Sequence, residues 1–114
     1  MTLEVGGDAE GGWGWIAGLP DDLDDLASAI RGGTEAGPVS VIGDEQQKLL
    51  TIHLGAGRAD ISGSVEHRER LAQSLSNVAQ AARESGESRH IDVMPDTTEW
   101  LDPSCPEVEF RARR

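Results

Sequence analysis

The sequence predicts an α+β fold: a mostly antiparallel sheet with two amphipathic helices packed on one face. Three features carry that expectation. Two stretches repeat apolar residues at helical spacing, seven short segments read as strands, and a constant offset of 45 residues superposes Gly18 on Gly63, Leu26 on Leu71, Ala27 on Ala72 and Ile30 on Leu75. The superposed stretches WIAGLPDDLDDLASAI and DISGSVEHRERLAQSL both run strand, glycine, acidic helix start, apolar stripe, and each is followed by two strands. This is the pattern of a tandem βαββ repeat covering residues 13–55 and 58–112 of a single 114-residue domain.

TLEV and WGWIAG, joined by the glycine-rich GGDAEGG, read as a hairpin. From Asp21 the period changes, and Leu23, Leu26, Ala27 and Ile30 form the stripe of a helix that Gly32 and Gly33 end. Three strands follow, PVSVIG (38–43), KLLTIHLG (48–55) and RADISG (58–63), whose short connections favour antiparallel neighbours. A second helix has Ser64 as N-cap, Val65, Leu71, Ala72, Leu75, Val78, Ala79 and Ala82 on one face, and Gly86 after its last turn. RHIDVM (89–94) and PEVEFRA (106–112) then alternate like half-buried strands around the loop PDTTEWLDPSC.

Charge excludes one class of partner. With 21 acidic residues against 10 lysines and arginines the formal net charge is −11, so no direct binding to nucleic acid or to a membrane surface is expected, and a basic partner is attracted instead. The single cysteine, Cys105, rules out an intramolecular disulfide and reads as a small residue in a turn. No apolar run is long enough to span a bilayer and the first residues lack the pattern of a signal peptide, so the expected location is cytoplasmic.

The densest cluster of chemistry is PDDLDDL, with Asp21, Asp22, Asp24 and Asp25 in or beside the first turn of a helix. Anions are favoured there by the exposed N–H groups and the helix dipole, and Asp21 as N-cap with Asp24 three residues on would make an aspartate capping box. Calcium needs a different ligand spacing. The remaining reading is a contact surface for a basic partner. Elsewhere His53, His67 and His90 lack metal-ligand spacing, G-x-S-x-G is absent, and LGAGRADISG has neither the glycine pattern nor the lysine of a phosphate loop. No catalytic set, cofactor or metal is therefore expected. An enzyme would need one of the histidines to meet an aspartate such as Asp60 or Asp92 in a pocket.

Three tryptophans stand out in a chain with no tyrosine and one phenylalanine. Trp13 and Trp15 share one face of a strand. Their size favours burial over a thin core, whereas on an exposed face they would be the large rigid anchors that binding surfaces use. Trp100, in the last loop, is either folded back on the sheet or a contact residue.

DISGSVEHRERLAQSLSNVAQ followed by SRHIDVMPDTTEWLDPSCPEVEF resembles the immunity protein 32 family of bacterial polymorphic toxin systems. The likeness lies in a short strand leading into an L-A-x-x-L helix, a strand that opens near His90, and the run W-L-D-P-S-C-P-E-V-E-F that leads into the closing strand. It covers about half the chain and leaves Trp13, Trp15 and the aspartate cluster outside it. The resemblance implies a cytoplasmic, non-enzymatic inhibitor that binds and neutralises a cognate toxin domain. The alternative is a small acidic structural or regulatory subunit, phage-encoded or a mimic of nucleic acid, with a non-toxin protein partner. In either case Asp21, Asp22, Asp24, Asp25, Trp13, Trp15 and Trp100 are the candidate contact residues, and the protein is a monomer or a homodimer.

Overall fold

A computed structural model of the chain describes residues 2–8 and 10–113. The two apolar stripes form helices α1 (Pro20–Gly32) and α2 (Val65–Ser85), which pack on each other through Leu23, Leu26, Ala27 and Ile30 on one side and Leu71, Ala72, Leu75 and Ala79 on the other. Both helices stop where the backbone turns left-handed, at Gly33 (φ 66°) and Gly86 (φ 69°), conformations that glycine adopts without strain. Ser64 caps α2, its hydroxyl accepting the His67 N–H at 3.4 Å.

The start of α1 differs from the expected one. Leu19, not Asp21, is the N-cap residue, because Pro20 follows it with its fixed φ and missing N–H, which suit the first helical position. Leucine has no side-chain acceptor. The return half of a capping box is supplied by Asp22, whose Oδ2 accepts the Leu19 N–H at 3.0 Å.

The strands are β1 (Glu4–Asp8), β2 (Trp13–Gly18), β3 (Glu35–Ala36), β4 (Val39–Gly43), β5 (Thr51–Gly55), β6 (Arg58–Gly63), β7 (Arg89–Val93) and β8 (Glu107–Ala112). The α+β class is as expected, but the strands form two sheets rather than one: sheet A in the order β1-β2-β8-β7 and sheet B in the order β3-β4-β6-β5. Antiparallel hairpins β1–β2, β5–β6 and β7–β8 and the short β3–β4 pair are joined by two parallel pairings, β2–β8 and β4–β6. Each sheet thus joins the strand pair before one helix to the strand pair after the other, so the repeated unit is ββαββ over 4–43 and 51–112 rather than the expected βαββ over 13–55 and 58–112. PVSVIG accordingly lies beside RADISG, not beside KLLTIHLG.

The first strand is also displaced toward the turn. Thr2 and Leu3 lie outside it, and Gly6 and Gly7 are inside it, where a methyl group on Gly7 would come within 2.3 Å of the Gly14 Cα. Ala9, in the expected hairpin turn, lies outside the described residues.

Alternation decides what each sheet buries. The inner face of sheet A carries Ile16, Val108, Phe110 and Ala112, and that of sheet B carries Val39, Val41, Ile52, Ala59 and Ile61, all in the core with both helices. Burying a side chain of this size contributes about 1.5–3 kcal/mol. The sheets touch where Leu54 packs on Gly14, and Leu50, just before β5, bridges Leu101 of the last loop in parallel.

Arg68, only 7% exposed, is a charge inside this apolar frame. Its Nη1 donates to the carbonyls of Ile30 and Arg31 at 2.9 Å each, and its Nε to the carbonyl of Gly63 at 3.1 Å. The guanidinium thereby satisfies carbonyls that the end of α1 leaves without helical partners. Its Nη2 also lies 3.7 Å from Glu45, whose carboxylate accepts the Val65 N–H at 2.9 Å.

Candidate interaction surface

The odd-numbered residues of β2 and β8 point away from the core. Register places Trp13 beside Glu107, Trp15 beside Glu109 and Ala17 beside Arg111, with Asp8, Gly6 and Glu4 next to them on β1. On the far side His90 and Asp92 of β7 pair with Arg111 and Glu109. This outer face of sheet A corrects the reading of Trp13 and Trp15 as core residues: Trp13 is 46% exposed and Trp15 half-buried, both outside the buried cluster. The shared face was legible, but its direction was set by Ile16 and by Val108 and Phe110 on the neighbouring strand, which take the inner side.

Trp15 is held from two directions. Its ring lies over Gly6, where an added methyl group would sit 2.3 Å from it, and the guanidinium carbons of Arg111 and Arg113 lie 5.1 and 5.6 Å from its centroid. Arg111 donates through Nε to Glu109 at 2.6 Å, and Arg113 through Nη1 to Glu4 at 3.0 Å. Each cation–π contact is worth about 0.5–1 kcal/mol at an exposed site, and each partly exposed ion pair about 0–1 kcal/mol. Together they fix the ring and leave its neighbour Trp13 open. The residues missed by sequence reading are Glu109, Arg111 and Arg113; the alternation of EVEFRAR was their signal.

The aspartate cluster is largely absorbed by the fold. Asp22 is 8% exposed, and Thr2 donates to it through Oγ1 at 2.9 Å besides the Leu19 bond. Burial works against its ionisation, but the hydrogen bonds from Leu19 and Thr2 outweigh burial and hold the carboxyl below the usual aspartate range. Arg83 of α2 bonds Asp21 at 2.5 Å and Asp24 at 2.6 Å. Asp25 is exposed.

Trp100 is half-buried against the core, beside Arg70 and Ser74 of α2. Its carbonyl accepts the Leu50 N–H at 2.8 Å and the Leu50 carbonyl accepts the Asp102 N–H at 2.8 Å, so the last loop is pinned to sheet B. Of the two alternatives for Trp100, the geometry gives the loop anchor.

Titratable groups meet in three places. His53 faces Asp60 across β5 and β6 on the open outer face of sheet B. His53 and Cys105 line one open depression of about 280 Å³, but burial pushes the Cys105 thiol up, while its Sγ accepts the Ile52 N–H at 3.2 Å. A nucleophile there would need the thiolate, which this surrounding disfavours. Asp102, beside them, is held below the usual range by hydrogen bonds from the Ser104 hydroxyl and N–H. The third place is the edge of sheet A, where ligand atoms of His90, Asp92 and Glu109 all lie within 4.8 Å of one another.

Comparison with protein-family models, curated proteins and solved structures gives no match to this chain. Among the described residues no helix is long and apolar enough to cross a membrane.

Proposed function

We propose that this protein is a non-enzymatic binding protein of the immunity type, acting in the cytoplasm, which uses the outer face of sheet A to occupy a basic protein domain such as a cognate toxin. The observation that carries this reading is the fixed ring of Trp15 beside the exposed ring of Trp13 on an uncovered sheet face. Rigid aromatics lose little freedom on binding and are over-represented among residues that dominate interface energies. Around them stand the acids Glu4, Asp8, Asp92, Glu107 and Glu109 against the cations Arg111 and Arg113, so the face favours a basic partner and a salt-sensitive association rate. The resemblance of the C-terminal half to an immunity family supplies the toxin as the kind of partner.

The test is capture from host lysate with three baits: the wild-type protein, a Trp13→Ala/Trp15→Ala double variant, and an Asp60→Ala/Ser62→Ala variant altered on sheet B. A basic toxin domain retained by the first and third baits and lost by the second supports the reading. Equal retention by all three removes sheet A as the surface, and a retained partner unrelated to toxins makes the protein a regulatory subunit.

A further inference from the structure

We infer that His90, Asp92 and Glu109 form a binding site for a divalent transition-metal ion of zinc type on the edge of sheet A. His90 and Asp92 are two residues apart on β7 and therefore share a face, and Glu109 is the direct cross-strand partner of Asp92. One imidazole nitrogen and two carboxylate oxygens come together within 4.8 Å of one another. Around a tetrahedral zinc with bonds of 2.0–2.2 Å, ligand atoms stand roughly 3.3–3.5 Å apart. Side-chain rotation of the exposed His90 and Asp92 closes that difference without moving the strands.

The surroundings suit ligation. Glu109 is oriented by the Arg111 Nε on its Oε1, leaving Oε2 free to turn to a metal, and Arg111 is itself braced on Trp15. A hydrogen bond of this kind to a ligating carboxylate is the usual support of a metal site. Of the nearby cations, Arg111 stands across from His90 with its charge spent on Glu109 Oε1, while Arg113 pairs with Glu4 and Arg89 with Glu87. Neither His90 nor Asp92 has a side-chain partner among the described residues, so binding a metal breaks no existing bond of theirs. The imidazole selects zinc-like ions over magnesium, which prefers an all-oxygen shell. The remaining coordination positions face solvent and take water.

Calorimetric titration of the tag-free protein with zinc chloride tests the site, together with the variants His90→Ala, Asp92→Asn and Glu109→Gln and the control His53→Ala. These side chains lie on the solvent-facing side of sheet A, so the variants keep the fold, which circular dichroism checks. One zinc per chain, affinity lowered roughly 10-fold or more in each of the three variants, no change in the control and no displacement by magnesium are expected. Absence of zinc binding to the wild type, or binding that persists unchanged in His90→Ala and Asp92→Asn, overturns the inference.

Discussion

Strands β2 and β6 hold equivalent places in the two halves of the chain, 45 residues apart and each leading into a helix. On their outward faces they differ completely. Where β2 presents Trp13 and Trp15, β6 presents Arg58 and Asp60. On the same face of β6 the Ser62 hydroxyl bonds Thr51 and Gln47, a polar network closed within sheet B, whereas on sheet A Trp15 is held by Gly6, Arg111 and Arg113 and Trp13 is exposed. The helices show the same divergence: Leu23 of α1 stands where α2 has Arg68, one filling the core and the other closing the end of its neighbour. One architecture has been used twice, once with a polar outer face tied to itself and once with an outer face that leaves a tryptophan exposed.

The largest expected effect comes from forcing the helices to be alike. Arg68→Leu leaves the carbonyls of Ile30, Arg31 and Gly63 without their donor, and should cost about 3 kcal/mol in urea unfolding. A loss below about 1 kcal/mol would mean that the arginine is a tolerated accident.

Making the outer faces alike is next. In the complex with the captured partner, Trp13→Ala/Trp15→Ala should weaken affinity by about 2 kcal/mol or more, roughly 30-fold, whereas Asp60→Ala/Ser62→Ala should change it by less than about 0.5 kcal/mol. Calorimetry measures both. Equal effects would erase the distinction between the sheets.

Asp22→Ala should destabilise by about 1 kcal/mol at neutral pH, since the cap on Leu19 and the tie to Thr2 are lost together. The folded-state pKa of Asp22 is depressed, so the part of its stabilisation due to ionisation is present above the ordinary aspartate range, about 4, and fades as pH falls through the folded value. Wild type and variant should therefore converge in acid; a gap that widens there would reverse the sign. The smallest effect is that of Asp25→Asn, with stability unchanged within about 0.5 kcal/mol and a modestly slower association at low salt, read by stopped flow.

Local patterns were legible and their long-range pairing was not. The spacing of Leu23, Leu26 and Ile30 and the glycines at 33 and 86 marked both helices, because periodicity and left-handed caps are properties of neighbouring residues. The division into two sheets depends on β2 meeting β8 and β4 meeting β6, contacts between distant segments on which short connections are silent. In PDDLDDL a capping box was foreseen on Asp21 and Asp24; the proline before them moved the N-cap to Leu19 and gave the N3 role to Asp22. The ties of Asp21 and Asp24 to Arg83 join two helices and leave no trace in either stretch alone. The pairing of Trp13 with Trp15 was plain from their spacing, but the side they face was decided by Phe110 and Val108, close to 100 residues away.

Amide hydrogen exchange of the purified complex tests the central claim most directly. The account predicts protection concentrated in residues 13–17 and 107–113, with 51–62 exchanging as in the free protein. Protection of 51–62, or of the start of α1, with sheet A unchanged would contradict it.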